Sequence, residues 1–137
     1  MKPLLRFLKF WRLLGWLAVG GVIYLSLTPA LPDFKLDALS LDKLEHFMAY
    51  ALLSGWFSQI YPLRFHGFLG LFLAALGAVL EIMQGLTGYR DFEYMDMVAN
   101  TLGVAGGYLL AHITSAGIAL SRLEYYWESY NRLQNRR

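Results

Sequence analysis

Lys43, His46 and Tyr50 are spaced by three and then four residues, so a helix carrying them sets an amine, an imidazole and a phenol on one face. Ser54 and Ser58 continue that face. Glu81 and Gln84 stand three apart and Asp96 and Asn100 four apart, so two further helices each present a carboxylate and a carboxamide together. Arg90 lies between those pairs in a short polar segment.

These residue types support several chemistries. As a binding set, Lys43, His46, Tyr50, Glu81, Gln84, Arg90, Asp96 and Asn100 can hold a polar head group, with Arg90 and Lys43 receiving a phosphate or carboxylate. As a catalytic set, Glu81 or Asp96 is the candidate general base and His46 the acid, while Arg90 and Lys43 steady an anionic intermediate. A proton relay through Glu81, His46 and Asp96 is a third reading, though the chain offers no polar path beyond them. No metal is expected, the weak alternative being a divalent ion on His46, Glu81 and Asp96. The chain has no cysteine, which excludes disulfides, thiolate metal sites and a thiol nucleophile. It also lacks HExxH and nucleophile-elbow patterns, and no cofactor is expected. Gln84 and Asn100 serve equally well as hydrogen-bonding glue between helices, and a structural pair between Glu81 and Arg90 is the plain alternative to a functional Glu81.

The elements that must carry these residues follow from where charge is absent. Hydrophobic residues make up 57% of the 137 and charged ones only 16%, too greasy a surface for water as the sole solvent. Charge-free runs cover 13–32, 47–63, 65–80 and 97–121. About 20 residues are needed to cross a bilayer core. The expectation is an all-α integral membrane bundle of four transmembrane helices over about 13–32, 46–63, 65–86 and 97–121. The middle two reach full length only by carrying His46, Glu81 and Gln84 into the membrane, where Glu81 needs a partner such as Lys43, Arg90 or protonated His46. The first apolar run ends at Pro29 and Pro32 without a convincing cleavage motif, so an uncleaved helix is expected rather than a signal peptide.

Nine of the twelve Lys and Arg residues precede the first span, follow the fourth, or sit at Arg64 between the second and third. That bias sets both termini in the cytoplasm and the polar ends of helices two, three and four at the outer face. Residues 122–137 mix Tyr125, Tyr126, Trp127 and Tyr130 with arginines, the pattern of a cytoplasmic amphipathic tail lying in the interface. Gly103 and Gly107, in line with Asp96 and Asn100, form a small-xxx-small pair suited to close helix approach. A formal charge of +2 gives no reason to expect nucleic acid; membrane lipids are the expected partners, and the sequence sets no oligomeric state.

Taken in order, Ser26-Leu27-Thr28-Pro29, Asp42-Lys43-x-x-His46-Phe47-x-x-Tyr50, Glu81-x-x-Gln84, Arg90 and Asp96-x-x-x-Asn100-x-x-Gly103 resemble the VanZ-like family, over most of the chain apart from its tails. The resemblance implies a small multi-pass protein of a prokaryotic inner (plasma) membrane with a role in the cell envelope. In the family's founding case that role is reduced susceptibility to the lipoglycopeptide teicoplanin. The function expected on this basis is binding or modulation of an amphiphilic or lipid-linked envelope molecule, such as a glycopeptide antibiotic or a cell-wall precursor. The alternatives are an intramembrane hydrolase or transferase acting on a lipid-linked substrate, and a structural membrane adaptor.

Overall fold

The computed structural model describes residues 5–29, 38–88, 91–113 and 118–134. Arg90, one of the expected site residues, lies outside them. The described residues form five α-helices and no strand: α1 (Leu8–Leu27), α2 (Ala38–Ile60), α3 (His66–Thr87, entered through a 3-10 turn at Leu63–Phe65), α4 (Tyr94–Ile113) and α5 (Ala119–Gln134).

Local chemistry fixes the ends. Thr28 takes an extended backbone, as a residue before proline must, and α1 stops there. Its hydroxyl donates to the Tyr24 carbonyl at 2.7 Å, satisfying one of the helix's last acceptors. Pro62 follows the end of α2, and Gly88, with φ of 76°, closes α3 in the left-handed conformation that glycine adopts without strain. Two segments are long and apolar enough to cross a membrane: Leu8–Leu27, with mean hydropathy 1.5, and Leu63–Thr87, with 1.9. Within the run expected as one helix over 97–121, the described residues hold α4 through Ile113 and α5 from Ala119, and 114–117 lie outside them.

α2 and α4 pack closest. A Cβ at Gly103 would collide with the Phe47 carbonyl, and one at Gly107 with the Ala51 carbonyl and the Ser54 hydroxyl, so the α4 backbone lies directly on α2. Gly77 receives the Asn100 side chain, and Gly70 sits under Tyr108 and Val104, which seats α3 on α4. α1 buries a single line, Trp11, Gly15 and Val19, each one turn from the next. Trp11 meets Trp56 edge-on at 5.7 Å, and Trp56 Nε1 donates to the Trp11 carbonyl at 3.1 Å.

Beside an apolar core that includes Leu53, Phe57, Leu69 and Leu73, the bundle also buries polar groups and exposes many large apolar ones. Ser54, Ser58, Glu81, Gln84, Asp96 and Asn100 are buried, while Leu17, Leu25, Leu52, Phe68, Leu71 and Leu109 are exposed. The two serines return their hydroxyls to α2's own backbone, Ser54 to Ala51 O and Ser58 to Gly55 O.

Candidate functional site

The C-terminal ends of α1 and α3 and the N-terminal ends of α2 and α4 meet at one end of the bundle. Four contacts define that end. Gln84 Nε2 donates to the Ser26 carbonyl at 2.9 Å, joining α3 to α1. The Glu93 backbone N–H, just before α4, donates to Glu81 Oε1 at 2.6 Å. Lys43 Nζ donates to Glu93 Oε2 at 2.5 Å and makes an ion pair with Asp96 Oδ1 at 3.4 Å. His46 Nδ1 lies 3.0 Å from Asn100 Oδ1.

The last contact fixes a proton. An amide oxygen only accepts, so Nδ1 donates and Nε2 is the ring nitrogen left over. His46 Nε2 looks into a space bordered by Asp42 Oδ1 and Asp96 Oδ2, each 3.9 Å away, too far for a hydrogen bond.

The site is dry on its inner side. Glu81 is 1% exposed, Asp96 4%, Asn100 2% and Tyr50 2%. Among the described residues, Glu81 Oε2, Asp96 Oδ1 and the Tyr50 hydroxyl find no hydrogen-bond partner, Asp96 Oδ1 having only the ion pair to Lys43. At its rim, the hydrogen bond that Lys43 donates to Glu93 holds the amine above the ordinary lysine value against the opposing effect of burial, and the Asp96 charge adds to it. Lys43 is the only lysine or arginine at this end among the described residues, which also hold Asp42, Glu45, Glu81, Glu93 and Asp96 there. The acids outnumber it.

A cavity of about 180 Å³ opens between α1 and α2 beside this cluster. Ser26, Asp42, Glu45, His46 and Tyr50 line its polar side, and Val22, Leu25 and Ala49 its apolar side.

Of the residues expected from sequence, Lys43, His46, Asp96 and Asn100 form one connected group, Tyr50 lines the adjoining cavity, and Glu81 lies beneath it on the Glu93 side. Gln84 takes a different task, bracing α3 against α1. Glu81 is bonded to the backbone at Glu93 rather than to Lys43, which turns to Glu93 and Asp96. The acids that converge on the imidazole are Asp42 and Asp96, not Glu81 and Asp96. Asp42 and Glu93 are functional neighbours that spacing alone did not single out. Asp42 was visible as the residue one turn before His46; Glu93 had no local signal, since its partner Lys43 lies 50 residues away.

No protein-family model, curated protein or solved structure matches the chain.

At the opposite end, Glu124 of α5 accepts from the Arg6 and Phe7 backbone N–H groups, at 2.7 and 3.0 Å, and from Trp11 Nε1 at 2.6 Å. Burial opposes its charge, but the Phe7, Trp11 and Arg6 donors outweigh it and hold the carboxyl below its usual range. α5 thereby satisfies the two backbone N–H groups just before α1 and ties that segment to α5.

Proposed function

We propose that the chain is a four-span protein of a prokaryotic plasma membrane with both termini cytoplasmic, and that its outer-end pocket binds the polar head of an amphiphilic or lipid-linked envelope molecule. The cavity between α1 and α2 carries this reading: it is polar along Ser26, Asp42, Glu45, His46 and Tyr50 and apolar along Val22, Leu25 and Ala49. Four spans are supported by the apolar exterior of α2 and α4 beyond their charged first turns and by the polar interior. The orientation rests on Arg6, Lys9, Arg12, Arg64, Arg122 and Arg132, all placed toward the end away from the site.

The pocket's chemistry narrows the ligand. Lys43 is engaged by Glu93 and Asp96, and the cavity walls offer mainly acceptors, so amines and hydroxyls suit this site better than a bare anion. A glycopeptide with an acyl chain, as the VanZ-like resemblance suggests, or a sugar-bearing lipid-linked precursor has that character. The test is titration of the purified protein in nanodiscs with teicoplanin and with a lipid-linked cell-wall precursor. Saturable binding weakened by Tyr50→Phe and Glu45→Gln supports the reading; equal binding to wild type and both variants ends it.

An intramembrane hydrolase or transferase is favoured by one observation, the imidazole held between two carboxylates by Asn100. Turnover of the bound precursor, abolished in His46→Gln at unchanged protein level, would establish it. A structural adaptor predicts the reverse, cluster substitutions that lower abundance.

A further inference from the structure

We infer that Asp42, His46 and Asp96 form a binding site for one divalent cation, with Asn100 and Lys43 as its supporting residues. The three offer an imidazole nitrogen and two carboxylate oxygens that all lie within 4.8 Å of one another. Ligands about 2.1 Å from a shared ion lie roughly 3 to 4 Å apart. His46 Nε2 stands 3.9 Å from an oxygen of each acid, a spacing too wide for hydrogen bonds and suited to an ion between them.

Independent features point the same way. Asn100 Oδ1 accepts from Nδ1, so the Nε2 lone pair faces the gap; metal-binding histidines are oriented by such an outer hydrogen bond. The Tyr50 hydroxyl, on a side chain 2% exposed and without a hydrogen-bond partner among the described residues, belongs to a residue lining the same cavity as Asp42 and His46 and is a buried polar group that a bound ligand or its water can satisfy. Lys43 holds Asp96 through Oδ1, leaving Oδ2 for the ion. Two oxygens and one nitrogen, with no thiolate available anywhere in the chain, select Mn²⁺ or Zn²⁺ over a thiophilic metal. The site adds an inorganic ligand beside the amphiphile pocket and does not depend on that reading.

The test uses the full chain in nanodiscs, stripped with chelator and titrated with Mn²⁺ and Zn²⁺. Expected is one ion per chain, with electron spin-echo modulation from a ¹⁴N nucleus on bound Mn²⁺. His46→Gln should erase the modulation, and Asp96→Asn should weaken binding at least tenfold, with size-exclusion profile and helix content unchanged. Should Asp96→Asn fail to fold, Asp42→Asn, altered at the more exposed ligand, is expected to give the same loss. Absence of saturable binding to wild type up to millimolar metal overturns the inference, as does binding that His46→Gln and the aspartate variants leave intact. Repeating the amphiphile titration with and without chelator separates the two readings: amphiphile binding without metal binding removes only the ion, and the converse removes only the pocket ligand.

Discussion

At the residue scale, Asn100 and Glu124 each solve a buried hydrogen-bonding problem, one at either end of the bundle. Asn100 touches Gly77 with one side of its amide and sets the His46 ring with the other. Asn100→Leu removes the acceptor and leaves a buried ring nitrogen unsatisfied, so a loss of about 1–3 kcal/mol is expected in reversible SDS unfolding. Glu124→Gln puts an amide donor where only acceptors fit and should cost a similar amount. The same carboxyl predicts a pH response. Its folded value is depressed, so its contribution is complete above the ordinary glutamate value of about 4.3 and is lost as pH falls through the lower folded value. Acid titration of the wild type should therefore show a loss of stability below about pH 4 that Glu124→Gln lacks.

Among elements, the α2–α4 contact is the one that the bundle cannot give up. Gly103→Ala drives a Cβ into the Phe47 carbonyl, where backbone rather than a flexible side chain must move, and a cost of about 1–3 kcal/mol is expected. Gly20→Ala and Gly21→Ala meet nothing within 4 Å and should be neutral or stabilising by up to about 1 kcal/mol. Measuring the three together separates close approach from helix propensity. The glycine pair on α4 and the three polar stripes were legible in the sequence because helical spacing alone puts residues on one face. The partners were not, because they depend on helix rotation and on which ends meet. Lys43 finds Glu93, Gln84 finds Ser26 and Glu124 finds the start of α1, each across a separation that periodicity does not register.

For the whole molecule, the central proposal is a membrane bundle with an apolar exterior and buried polar groups gathered at one end, that end facing the outside of the cell. The absence of native cysteine gives a direct measurement: single-cysteine variants labelled in intact cells with a membrane-impermeant maleimide. Leu41→Cys, exposed in the first turns of α2 beside the site, tests one end. Leu63→Cys, exposed in the turn before α3, and Gln134→Cys, at the end of α5, test the other. The account predicts that Leu41→Cys labels in intact cells while Leu63→Cys and Gln134→Cys label only after permeabilisation. Labelling of Leu63→Cys or Gln134→Cys from outside, or of Leu41→Cys only after permeabilisation, would contradict it.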